Sequence, residues 1–263
     1  MRKPGRAILV AVACAFGARA GAAQAIHPVV DAQRGYLLGA RVNGTWREGQ
    51  HIAARVGAGQ RYRVFGPAGL LGESTGMRAQ APEDVCQESF QVELSPKREV
   101  GEVAVGGAWN VLPRPVTRLR PAAYAEPVRQ ILVQHGIRNP VVRVTAAIRA
   151  DLDGDGTDEV VIAATRSSEA LGWAAHAGDY SIVFARKLVG GTVRTIMLEQ
   201  EYHPRASPDA VPNEYTLAGA WDLDGDGQLE IMVRGRYYEG DWTTLYRLRD
   251  TTALKLVSVG CGV

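Results

Sequence analysis

Two short stretches of the chain place carboxylates at alternate positions. They are Asp151-Leu152-Asp153-Gly154-Asp155-Gly156-Thr157-Asp158-Glu159 and Asp222-Leu223-Asp224-Gly225-Asp226-Gly227-Gln228-Leu229-Glu230. Numbered from the first aspartate, the shared acids fall at positions 1, 3, 5 and 9. Alternate residues of a tight loop can point inward together, and carboxylates crowded within a few ångströms repel one another unless a cation joins them. The expected ligands are Asp151, Asp153, Asp155 and Glu159 in one loop and Asp222, Asp224, Asp226 and Glu230 in the other, with the backbone carbonyls of Thr157 and Gln228 completing each shell. Calcium accepts roughly six to eight oxygens in flexible geometry, whereas magnesium demands a stricter octahedron and keeps its waters, so two calcium ions are the expected cofactors. Gly156 and Gly227, at position 6, allow the bend that wraps chain around an ion. Neither loop holds His or Cys, which argues against transition metals. An EF-hand would need a bidentate Glu at position 12, where Ile162 and Val233 stand inside apolar runs. Asp158 has Leu229 as its counterpart and is read as a solvated charge or a helper, not as an essential ligand.

The elements around these loops repeat as well. A shift of 71 residues, Asp151 to Asp222, also superposes Thr145 on Thr216 and Val160 on Ile231. In each copy an alternating run leads into the loop and an apolar run leads out. Each then continues into a second pair of strands, Ser181–Lys187 with Val193–Gln200 and Thr244–Leu248 with Leu254–Val259. That is about four strands per copy, the content of one propeller blade.

DLDGDGxxE followed by a strand resembles the calcium loop of FG-GAP and VCBS-type repeats, the blades of integrin-like β-propellers, and LAGAWDLDGDGQLEIMVRG is similar to such a repeat. The resemblance covers Val141 to the C-terminus, without the family's Phe-Gly and Gly-Ala-Pro words. It implies calcium at positions 1, 3, 5 and 9, between two strands of a blade. The fold it implies is mainly β, built of propeller-like or partial-propeller four-stranded blades. Activity does not follow, because such an architecture hosts unrelated functions.

Upstream, Tyr36–Glu48 reads as a hairpin around Asn43-Gly44, whose residues suit a type I′ turn. Further strands are expected at Gln60–Phe65, Ser89–Leu94 and Glu102–Val105, with loops at Gly66–Gly76 and Ala79–Cys86. Pro113, Pro115, Pro121 and Pro127 mark an extended connector, after which Val128, Ile131 and Leu132 recur at helical spacing and Gly136 can cap a helix over Ala125–His135. The organisation expected is a signal peptide over 1–25, an N-terminal β unit over 26–112, connector and helix over 113–140, and calcium blades over 141–209 and 210–263.

The first residues combine basic Arg2, Lys3 and Arg6, an apolar run from Ala7 to Gly17 and the small-residue end Ala23-Gln24-Ala25, the pattern of a secretory signal peptide. The run is shorter than the roughly 20 residues a membrane span needs. Cleavage would remove four of the 30 basic residues and none of the 28 acidic ones, and a near-neutral mature chain lacks the basic footprint of nucleic-acid binding. Export to the periplasm or beyond would leave Cys86 and Cys261 as one possible disulfide, which would close a very long loop and tie the N-terminal third to the last strand.

Few other constellations suggest chemistry. Gly72-Glu73-Ser74-Thr75-Gly76 matches a nucleophile elbow in letters, but its strand-to-helix context is missing, and it reads as a flexible loop. After each acidic loop come aromatic segments, Ser167–Tyr180 with Trp173 and His176, and Tyr237–Thr243, of which Tyr238, Glu239 and Trp242 are the candidate surface for a protein or glycan ligand. A binding or structural module is expected, with a calcium-dependent hydrolase or a regulatory partner of another exported protein as the alternatives.

Overall fold

The computed structural model describes residues 25–83, 85–167 and 172–262, so the expected signal peptide lies outside the described residues. The chain is mainly β, with every strand pairing antiparallel. Three sheets pack on one another, and the longer of two short helices among the described residues covers the middle one.

The N-terminal sheet holds β1 (Val29–Asp31), β2 (Leu37–Val42), β3 (Thr45–Glu48), β4 (Gln60–Gly66), β5 (Gly69–Gly76), β6 (Leu94–Ser95) and β7 (Val103–Val105), in the order β3-β2-β1-β7-β4-β5-β6. A single helical turn, α1 (Gly49–Ile52), follows β3. Successive strand residues point to opposite faces, and here both faces find a core. Val30, Leu37, Val64 and Ala104 fill the inside of the curled sheet with Ile52 and Tyr62, while their neighbours Val29, Leu38, Phe65 and Val105 pack outward on the C-terminal sheet. The β2–β3 turn has Asn43 and Gly44 at φ of 51° and 78°, as the hairpin reading requires.

Two expectations fail here. The loop expected over Gly66–Gly76 is largely strand β5, paired with β4 from Gln60↔Gly76 to Gly66↔Gly69. Its glycines lower strand propensity, yet they fit the register shift at Val64/Phe65, where Gly72 takes a φ of 134°. Ser74 is therefore a buried strand residue whose hydroxyl donates to the Pro96 carbonyl at 2.7 Å. The strand expected over Ser89–Leu94 shrinks to Leu94–Ser95, and Gln91 makes only isolated bridges to Tyr36 and Gln80.

The proline-rich connector is a packed strap. Val111 is buried, β8 (Thr117–Arg118) adds an edge to the middle sheet, and a 3-10 turn leads into α2 (Ala125–Gln134). Val128, Ile131 and Leu132 of α2 bury against Ile162, Ala164 and Phe184, and Gly136 ends the helix at a φ of 88°.

The middle sheet continues with β9 (Val144–Ala150), β10 (Glu159–Arg166), β11 (Asp179–Val189) and β12 (Thr192–His203). The C-terminal sheet is the meander β13 (Glu214–Trp221), β14 (Glu230–Tyr237), β15 (Gly240–Arg249) and β16 (Thr252–Gly262). Val161, Val183 and Ile196 of the middle sheet pack on Leu217, Ile231 and Tyr246 of the C-terminal sheet. The opposite face of that sheet, with Trp221, Met232, Leu245 and Val257, meets the N-terminal sheet. Covered on both sides, β14 is buried from Glu230 to Gly235, which is why its sequence is a continuous run instead of an alternation.

Two cross-links tie the N-terminal sheet to the C-terminal one. A disulfide joins Cys86 to Cys261 of β16, with the Cα atoms 5.3 Å apart. Within the interface, the guanidinium of Arg234 holds the Asp31 carboxylate with two hydrogen bonds of 2.8 Å and also reaches Glu102, and the Thr243 hydroxyl donates to Asp31 at 2.6 Å. No helix among the described residues is long and apolar enough to cross a membrane.

Candidate metal centres

The acidic loops are the β9–β10 and β13–β14 connections, and they fold alike. At position 1, Asp151 accepts from the backbone N–H groups of Gly154 at 2.7 Å and Gly156 at 3.2 Å; Asp222 accepts from Gly225 at 2.7 Å and Gly227 at 3.0 Å. Each bend needs left-handed backbone, with φ of 85° at Gly156 and 86° at Gly227. At position 2, Leu152 and Leu223 are buried and anchor the loops to the cores. At position 9, the first residue of the outgoing strand, Glu159 and Glu230 turn back and accept from Leu152 N–H at 2.9 Å and Leu223 N–H at 2.7 Å.

This folding brings carboxylate oxygens of Asp151, Asp153 and Glu159 within 4.8 Å of one another, and likewise those of Asp222, Asp224 and Glu230. Both triads could hold a metal ion. Asp155 and Asp226 lie outside the triads, each bonding the N–H two residues on, Thr157 at 2.8 Å and Gln228 at 2.9 Å. Asp158 points away to Arg149 at 3.2 Å. Burial pushes the Glu230 carboxyl up to about 8, with the neighbouring Asp224 charge adding to the effect and Arg247 opposing it. Burial likewise raises Glu159 and Asp222.

The loops sit side by side. Leu229 N–H donates to the Leu152 carbonyl at 2.8 Å, and Arg114 of the strap bridges the Asp151 carbonyl at 2.7 Å and the Gly227 carbonyl at 2.5 Å. Trp109, also of the strap, donates its indole N–H to the Asp222 carbonyl at 2.8 Å and covers Gly225, where an added Cβ would meet the ring at 2.9 Å. The loops thus form a seam where strap, middle sheet and C-terminal sheet meet.

Each loop also receives a basic side chain from the third strand of its meander. Strand register places Lys187 opposite Glu159 and Arg247 opposite Glu230, since Val160 pairs with Arg186 and Ile231 with Tyr246. The Lys187 ammonium contacts Asp153, donates to Glu159 at 3.0 Å and lies 3.2 Å from Asp155. Arg247 contacts Glu230 and reaches Asp226 at 2.8 Å and Asp224 at 2.9 Å. The N-terminal sheet adds Arg41, 2.8 Å from Asp226, and the Trp46 indole, 3.0 Å from Asp224. The acids could be found from spacing alone, but these partners could not. Lys187 follows Glu159 by 28 residues and Arg247 follows Glu230 by 17, so unequal hairpins hide their equivalence.

The first loop suits a hard cation on a specific ground. Asp153 Oδ1 is buried and has no hydrogen-bond donor among the described residues, an arrangement that costs stability unless something positive meets it. Every side-chain donor in the set is a carboxylate oxygen, the chemistry calcium prefers.

The candidate ligand surface lies around the β14–β15 turn. Tyr238 lies against Trp173 with ring centroids 4.0 Å apart and planes tilted by 33°, Trp173 is 69% exposed, and Glu239 is exposed. Trp242 instead lies over Gly235 and Gly260, where an added Cβ would come within 2.1 and 2.3 Å of it. His176 lies beside Asp179, and Ser168–Leu171 of that segment fall outside the described residues. Ser74, locked on Pro96, faces no base in that contact. Comparison with protein-family models, with curated proteins and with solved structures finds no match.

Proposed function

We propose that the protein is an exported calcium-binding β module, in which an ion held by the acidic seam fixes the packing of the sheets around it. The observation that carries this reading is the first triad, three converging carboxylates with the buried Asp153 Oδ1 left unmatched. The resemblance of DLDGDGxxE to FG-GAP and VCBS-type repeats supports calcium as the ion and the four-stranded meanders as blades of a partial propeller. The Cys86–Cys261 disulfide supports life in an oxidising compartment, periplasmic or secreted. A protein or glycan ligand would be met by the exposed Trp173 with the Tyr238 ring against it, beside Glu239. A hydrolytic role draws no support from Ser74, which is held as a packing residue.

Extracellular-type calcium sites have dissociation constants of roughly 10⁻⁴–10⁻³ M. At about 1 mM calcium, a site at the tight end of that range stabilises the native state by about 1.4 kcal/mol. For a chain of this size that raises Tm by about 3–6 °C. A thermal melt of the EDTA-stripped chain with and without added calcium tests this, and an unchanged Tm refutes it.

A further inference from the structure

The two loops share a backbone but differ in what their carboxylates already bind. In the second loop every carboxylate oxygen accepts a hydrogen bond. Asp222 takes Gly225 and Gly227 N–H; Glu230 takes Leu223 N–H and Arg247; Asp226 takes Gln228 N–H on one oxygen and Arg41 with Arg247 on the other. Asp224 takes Asp226 N–H on Oδ1, and on Oδ2 it meets Arg247 at 2.9 Å, Trp46 at 3.0 Å and Arg41 at 3.3 Å. Its side chain is fully buried. In the first loop one ammonium serves Asp153, Asp155 and Glu159, Asp153 Oδ1 is unmatched, and the Asp155 side chain is 45% exposed.

The chemistry of the two cations sharpens the contrast. A guanidinium is a planar fork with fixed donors, and Arg247 spends all three nitrogens on three carboxylates, two of which, Asp224 and Glu230, belong to the triad an ion would need. It carries a permanent charge and is braced by Arg41 and Trp46, neighbours across the β2–β3 hairpin. Lys187 is a point charge on a flexible stem and can withdraw when a divalent ion outbids it.

We propose that the second loop is closed by the protein's own arginines in place of a metal ion, so that the chain binds one calcium, at the first loop, and not two. This rests on the calcium reading of the first loop. The second loop then serves as a metal-independent weld: Arg41 and Trp46 come from the N-terminal sheet, so the same ion pairs that neutralise the loop dock that sheet onto the C-terminal one.

Calcium stoichiometry on the EDTA-stripped full chain, by isothermal titration and native mass spectrometry, tests this. The expected count is one ion per chain, lost in Asp153→Asn and retained in Asp224→Asn. Loss of the fork should open the second loop, so the Arg41→Leu/Arg247→Leu double variant is expected to take up one more ion than the wild type. Two ions in the wild type overturn the arginine closure and leave the calcium reading standing. No ion in the wild type overturns the calcium reading, and the double variant then judges the closure alone: an ion gained upholds it, none gained overturns it. If the double variant does not fold, the wild-type count with the two asparagine variants decides the matter: one ion, lost in Asp153→Asn and retained in Asp224→Asn, upholds the proposal, and any other count overturns it.

Discussion

Lys187→Met removes the one charge shared by Asp153, Asp155 and Glu159 of the first loop and leaves the aliphatic stem in place. The Lys187 side chain is 6% exposed, and its ammonium touches Asp153, Asp155 and Glu159. Removing one partner of a buried ion pair costs about 3–5 kcal/mol, because the remaining charge is left uncompensated. Arg114, 3.5 Å from Asp151, offsets part of that, so the lower end, about 3 kcal/mol, is the expected loss without calcium. At about 2–4 °C per kcal/mol, Tm should fall by about 6–12 °C in EDTA. Calcium no longer has to displace the ammonium, so the same substitution should tighten calcium binding at least tenfold, equivalent to about 1.4 kcal/mol. Differential scanning calorimetry in EDTA and in calcium, with titration calorimetry for affinity, reads both effects. Unchanged calcium affinity, or equal destabilisation with and without the ion, refutes the idea that ammonium and metal compete for one cage.

Three further outcomes follow from the same geometry. Replacing Cys86 and Cys261 by serine releases a link across 175 residues and should cost about 5 kcal/mol on the chain-entropy model, seen as a Tm fall of about 10–20 °C. Arg234→Met strands the buried Asp31 carboxylate and should cost about 3–5 kcal/mol in urea unfolding, with part of the loss recovered in the Asp31→Ala/Arg234→Met double variant. Burial opposes ionisation of Asp31, but Arg234 and Thr243 outweigh it and hold the carboxyl below its usual value near 3.8. Its contribution is therefore complete above about pH 4 and lost as pH falls through the lowered native value, so Arg234→Met should flatten the acid limb of the stability profile.

What the sequence made legible is what it encodes locally. The acidic loops carry ligands and glycines within nine positions, so spacing alone locates both triads. Asn43-Gly44 sets its own turn, and α2 declares itself through Val128, Ile131 and Leu132. Strand β5 was hidden because Gly69, Gly72 and Gly76 imitate a loop, while what holds the strand is the pairing partner β4. The partners of the acidic loops were hidden for a different reason: Lys187 and Arg247 arrive by strand register, and Arg41, Arg114 and the Trp46 indole by packing of distant elements, neither of which leaves a spacing to read. The buried Arg234–Asp31 pair likewise sits in an apolar run and a turn with no shared motif.

The most direct test of the calcium-binding account is anomalous scattering from crystals grown in millimolar calcium. The account expects a peak at about 2.3–2.6 Å from oxygens of Asp151, Asp153 and Glu159, with the Lys187 ammonium withdrawn from between them. A first loop without anomalous density, and Lys187 still bonded to Asp153 and Glu159, would contradict it.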